Sequence, residues 1–374
     1  MRNTVFVVSA LLLATGPAAL SAPPPSTANG KPEGAPSRED ARATRARERR
    51  TPPRRWLREP LTEEELAALE KKIEEDPSNL ELRETALQHY FKFFGRKDRE
   101  KTRGRNPHVL WLISNAPESD LAGRPEAHVV RVLEPDLFPE AADLWRRQVQ
   151  AHPRDARVLG NAATFFVVND NAVALEMYAA AAALEPNNPR WRQRSAHVHN
   201  LVALSGKDPG ASQAALDNYE RALEHEPNEI KRTALLRDAA VAALAVENDE
   251  KAERYAKEVL LRTEKQPPEL SDEYSAHEGH RVLGHVALRH GDVAGAKSHL
   301  LAAGAVTSGP VPIPFGPELT LAKDLLARGE TETVIQYLTS IRRFWNGEDA
   351  VLDGWIASIR AGQHPDLDRW AAYR

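Results

Sequence analysis

The sequence of 374 residues contains no cysteine. That excludes disulfide staples, thiolate nucleophiles and zinc-thiolate sites, and removes the residue that lipoprotein acylation requires. Aromatic residues make up only 6% of the chain while alanine and leucine abound, a balance that favours helices over sheets. Charge of one sign is also scarce, since 50 basic and 54 acidic residues leave a formal net charge of -4. No global field therefore points to nucleic acid or an anionic membrane, and any electrostatic function must be local.

What is present begins with "MRNTVFVVSALLLATGPAALSA", an early arginine, an apolar run from Val5 to Ala14 and then small residues. This is the three-part pattern of a secretory signal, and the expected cut after Ser21 makes residues 1–21 a signal peptide. Export to the periplasm or the medium follows, with no stable membrane span once the signal is removed; retention as an anchor is the alternative. Residues 22–60 are rich in Pro, Ser and Gly and then in arginine, nine of them between Arg38 and Arg58. With almost nothing apolar to bury, the stretch is expected to be a disordered tether.

Helical periodicity begins at residue 61. Thr62 and Glu65 have capping-box spacing, Leu66, Leu69 and Ile73 share one face, and Pro77 closes the segment. A second helix is expected from about Leu80 to Phe94. Further along, "ALDNYERALEHEPN" repeats the small, aromatic, small, proline spacing of Ala174, Tyr178, Ala181 and Pro186 as Ala215, Tyr219, Ala222 and Pro227. "GDVAGAKSHLLAAG" repeats it as Ala296, Leu300 and Ala303. Between Ala174, Ala215, Ala252, Ala296 and Val334 the steps are 41, 37, 44 and 38 residues, each suited to one antiparallel helix pair. Small residues at these places predict another helix at close approach.

In front of the second helices, His280, Leu283, Gly284 and Ala287 followed by Gly291-Asp292 match W-x2-L-G-x2-Y in spacing. The chain resembles the tetratricopeptide repeat family, well over residues 155–346 and in degenerate form over 61–154. No unit is read as carrying tryptophan at the first signature position. The resemblance implies an all-α, right-handed superhelical solenoid of antiparallel helix pairs. The closing part, with "FGPELTLAKDLL" and a Trp-Ile helix, resembles a group of exported bacterial repeat proteins of uncharacterised activity. There, residues 347–374 are expected to form a capping helix, Leu352 to Ile359 covering the last repeat.

Tests for chemistry return little. Gly304 to Gly309 has the spacing of a phosphate loop, but Pro310 and Val311 stand where Lys and Ser/Thr are needed. There is no nucleophile elbow and no dinucleotide fingerprint. Five of thirteen histidines fall between His277 and His299, and Glu273, His277 and His280 would share a helix face as a two-His, one-carboxylate candidate metal site. Against it, "HEGH" is shorter than H-E-x-x-H, His280 holds a packing position, and Ser271 looks like the helix cap. No cofactor and no catalytic residue are expected.

The expected function is that of a non-catalytic scaffold, its concave face lined by the first helix of each pair. Alignment of the units places there Leu159, Ala163 and Phe166, then Arg190, Gln193, His197 and Asn200, then Arg237 and Val241, then Glu278, Arg281, His285 and Arg289, and finally Lys323. Four arginines and a lysine against one glutamate predict a locally basic groove for a protein or peptide partner, acidic in character. Leu159 and Phe166 would anchor its apolar part. The alternatives are a binder of cell-envelope polymer or anionic surface through the arginine-rich tether, or an enzyme using Glu273, His277 and His280 with a metal.

Overall fold

The computed structural model describes residues 60–93, 102–206, 208–266, 272–306, 317–345 and 349–367. The signal, nearly all of the tether, the Gly/Pro loop after Thr307 and Ser271 lie outside the described residues. Among those described there are α-helices and short 3₁₀ turns but no strand. In order the helices are α1 (Glu63–Glu75), α2 (Leu80–Phe91), α3 (Asn106–Asn115), α4 (Phe138–Ala151), α5 (Ala156–Phe166), α6 (Asn171–Leu184), α7 (Pro189–Leu204) and α8 (Ala211–His225). They continue with α9 (Glu229–Ala245), α10 (Asp249–Lys265), α11 (Glu273–Arg289), α12 (Val293–Gly304), α13 (Thr320–Ala327), α14 (Thr331–Ile341) and α15 (Asp349–Arg360). From α5 onward each helix packs on the next in sequence, and α9 on α11 and α12 on α14 besides. This is a tetratricopeptide-like solenoid of helix pairs.

Local chemistry starts the helices. Thr62 and Glu65 form the reciprocal capping box of α1, satisfying two otherwise orphaned backbone donors. Asp155, Asp170, Asn188, Asn228, Asn248, Asp272 and Asp292 each cap the helix that follows with a side-chain oxygen. Asp272, not Ser271, caps α11, accepting from the Ser275 amide at 3.0 Å.

The turns inside the pairs repeat as well. Asn248 N donates to Ala243 O at 2.9 Å, Asp292 N to Ala287 O at 2.9 Å and Glu330 N to Leu325 O at 3.0 Å. These are six-to-one bonds closing α9, α11 and α13, and each needs a left-handed residue just before the donor. Gly291 (φ 81°) and Gly329 (φ 85°) supply it, whereas α9 uses Glu247 at φ 57°.

Packing explains the recurring small residues. Ala174, Ala215, Ala252, Ala296 and Val334 are each 0% exposed, at the places where second helices meet their neighbours. A Cβ on Gly160 would lie 2.1 Å from the Trp191 ring, and one on Gly284 would lie 2.4 Å from Leu321. Trp191 thus does in α7 what Leu321 does in α13, packing over the glycine of the preceding first helix, correcting the reading that no unit has a tryptophan there. The long step between Ala174 and Ala215 had hidden the register. Successive apolar clusters run from Leu87 to Val198, from Ala196 to Val286 and from Leu288 to Leu367. In the last of these α15 buries Leu352, Trp355, Ile356 and Ile359, so the C-terminal repeat is covered by a helix extending from residue 349 to 360.

Candidate functional site

The first helices α5, α7, α9, α11 and α13 carry the face expected to bind. At its N-terminal end the expectation is corrected. Leu159 and Phe166 are buried at 4% and 1%, and Ala163 is buried beside them. They face the interior of the pair, where lost apolar contact costs most, and offer no anchor to a ligand. The opposite, polar side of α5 is taken by the chain itself. Asn161 Nδ2 donates to the carbonyls of Pro117 and Ser119, both at 2.8 Å. Asn169 Nδ2 donates to Val129 O at 2.9 Å and its Oδ1 accepts from Arg131 N at 2.9 Å. Buried Arg105 fixes the same segment through the carbonyls of Glu126 and His128 and the Glu134 carboxylate.

From α7 onward the predicted residues do come together, as a ladder of compensated charge. Arg190 donates to Asp120 at 3.3 Å. His197 lies 3.3 Å from Asp238 and edge-on to Tyr219, whose hydroxyl accepts from Asn200 at 2.9 Å. Arg237 grips Asp238 through two nitrogens at 2.9 and 2.7 Å and lies over the Tyr274 ring. Arg281 is 7% exposed, with Glu278 at 2.7 Å and Glu318 at 2.9 Å. His285 meets Thr320 at 3.1 Å, and Arg289 bonds Asp249 at 2.6 Å and Leu244 O at 2.9 Å. Gln193 and Val241 are part-buried and Lys323 is exposed.

The locally basic groove is therefore corrected. Asp120, Asp238, Glu278, Glu318 and Asp249 answer its four arginines, and four of these acids lie off the aligned positions. Electrostatics follow the geometry. Burial alone would raise Asp238, but Arg237 and His197 outweigh it and hold its pKa below the usual value. Glu278 is lowered likewise, burial being outweighed by Arg281 and His277. Glu318 is held well below the carboxylate range, because hydrogen bonds from His285 and Thr320 and the charge of Arg281 overcome burial. Beside them, the Glu278 charge and then burial push Tyr274 up to about 12. Deleting one member of such a buried pair costs about 3–5 kcal/mol, since the other charge stays buried alone.

The metal candidates are not brought together. His277 is buried with Nδ1 3.0 Å from Ala303 O and its ring edge-on to Phe344. His280 turns instead to His299, Nδ1 to Nδ1 at 3.2 Å. Among the described residues no three His, Asp or Glu side chains converge as a metal site.

Among the described residues, a shallow cleft of about 300 Å³ lies between α11 and α13, lined by His285, Leu288, Arg289, Asp324 and Arg328. Two of these were expected on this face. Arg328 was not; it sits one position past the end of α13, exposed, and among the described residues no acid pairs with it.

No family model matches the chain, and no curated protein does. Solved structures do, among them the crystal structure of the "APC/C hetero-tetramer Cut9-Hcn1", at 14% identity and a TM-score of 0.40. The match covers 79% of this chain and 52% of that one, about half its length. Helix order and packing, rather than this match, define the fold. No described helix is long and apolar enough to cross a membrane.

Proposed function

We propose that the chain is a non-catalytic scaffold that takes a segment of a protein partner along α7 to α13, with the cleft between α11 and α13 as its main contact. Helical repeat arrays present such continuous faces. The observation that carries the reading is the cleft itself, where exposed Arg328 stands with His285, Arg289 and Asp324, Arg289 being held by Asp249. A segment bringing an acidic side chain to Arg328 matches that lining. Arg237 and Arg281 belong instead to the framework. A display selection against the full chain tests this: acidic sequences should be enriched, and Arg328→Glu should weaken the selected peptides about tenfold or more while leaving the unfolding midpoint unchanged. Selection of peptides without acidic residues, or binding indifferent to Arg328→Glu, would sink the proposal.

The N-terminal pattern and the likeness of the C-terminal part to exported bacterial repeat proteins support export of the scaffold. N-terminal sequencing of the mature protein should begin at Ala22; an intact Met1 would contradict it. The arginine-rich tether remains the basis of the second reading, an anionic-surface binder, and its binding would collapse with salt.

A further inference from the structure

The five histidines between His277 and His299 sit on one helix pair and its closing turn, and three of them are spent on the fold. His277 meets Ala303 O at 3.0 Å, His285 meets Thr320 at 3.1 Å and His290 meets Asp249 at 3.2 Å. Among the described residues, His280 of α11 and His299 of α12 have hydrogen-bond contact with each other alone. Gly284, one turn past His280, explains how they meet. A Cβ built on it would lie 3.4 Å from the His299 Cβ, so a missing side chain lets α12 close in with its imidazole against that of His280.

The geometry of the pair is that of two ligands. The Nδ1 atoms lie 3.2 Å apart, with ring centroids at 5.4 Å. Two zinc-nitrogen bonds of about 2.05 Å place their nitrogens about 3.3 Å apart at a tetrahedral angle and about 2.9 Å apart at a right angle. The observed separation falls between these. Both residues are half-buried, and neither Nε2 is shut off from solvent. Without an ion, one Nδ1 must donate and the other accept. With one, the donated proton moves to the Nε2 of its own ring, where water receives it, and both Nδ1 lone pairs are free to coordinate. Burial holds His280 at about 4 and lowers His299 as well, so both rings are neutral near pH 7, the form that binds metal. Lys257 of α10 acts on His299 but is itself held by Glu253 at 2.6 Å, and Asp292 is occupied in capping α12.

From the 3.2 Å approach of two Nδ1 atoms on facing, half-buried rings, we infer that His280 and His299 form a two-imidazole site for a divalent transition-metal ion of the zinc and nickel class, joining α11 to α12. No third described His, Asp or Glu converges there, so water completes the coordination. The set differs from Glu273, His277 and His280, and it stands whether or not a peptide binds the α11/α13 cleft. Bound only in the native state, the ion stabilises the fold by mass action.

Thermal unfolding of the full chain, stripped with chelator and then titrated with zinc at pH 7.5, tests this. The wild-type midpoint should rise saturably, by roughly 4 °C or more at about a hundred times the half-saturating concentration. His299→Gln should abolish the rise, while His225→Gln, at an exposed histidine of α8, should leave it intact. No rise in the wild type, or an equal rise in His299→Gln, would show a hydrogen-bonded pair only and overturn the proposal. Should His299→Gln not fold, crystals of the wild type grown with zinc decide: an anomalous peak bonded to both Nδ1 atoms supports the site, and none there refutes it.

Discussion

Single side chains in this array divide into those that hold it together and those left for solvent or a partner, and their pKa directions show which. His128 is lowered to about 3, chiefly by burial. His280 is lowered to about 4, by burial first and then by His299 and His277. Both are neutral in the fold, while in the unfolded chain they titrate near an ordinary value of about 6.5. Their folded pKa values being depressed, the stability they contribute is present above about pH 6.5 and is lost as the pH falls toward 4 and 3. Asp238, Glu278 and Glu318, also lowered, add a loss that begins lower, near the ordinary carboxylate values of about 4. Unfolding midpoints measured from pH 7 to 4 should fall throughout, with a slope of up to about 1.4 kcal/mol per pH unit from buried His128. His128→Gln should flatten that slope, and an unchanged slope would show that the histidine is not buried neutral.

At the scale of helices and turns, much was legible in the sequence. The spacing of Ala174, Ala215, Ala252 and Ala296 marks contacts that are fully buried, because only small residues let second helices approach so closely. The capping box at Thr62 was equally plain, being a local interaction. Other features depended on contacts far apart in the chain. Trp191 packs on Gly160 across a lengthened repeat, and Asn161 binds a segment more than 40 residues earlier. Leu159 and Phe166 were placed on the wrong side of α5, since an apolar residue suits an interior and a groove alike. The turns add a prediction. Glu247 adopts the left-handed conformation that Gly291 and Gly329 provide in the equivalent turns, a conformation costing a side-chain-bearing residue about 1 kcal/mol. Glu247→Gly should therefore stabilise the chain by up to about 1 kcal/mol in denaturant titration. Destabilisation would mean that the Glu247 side chain supports the turn.

For the whole molecule, the sequence disclosed the repeat architecture but misjudged the charge of its face. Cations were read from a few aligned positions, whereas their acids come from the same helix, as with Asp238, or from the chain before the next one, as with Glu318. Compensation leaves a framework of ion pairs crossing from helix to helix, Arg289 included, and the proposed contact falls to exposed Arg328 at the cleft between α11 and α13. The most direct test of that view is hydrogen exchange of the full chain, free and saturated with a display-selected acidic peptide. The account predicts added protection in α11 and α13, with α5 and the segment from 117 to 131 unchanged. Protection centred on α5, or on α1 and α2 with α11 and α13 unaffected, would contradict it.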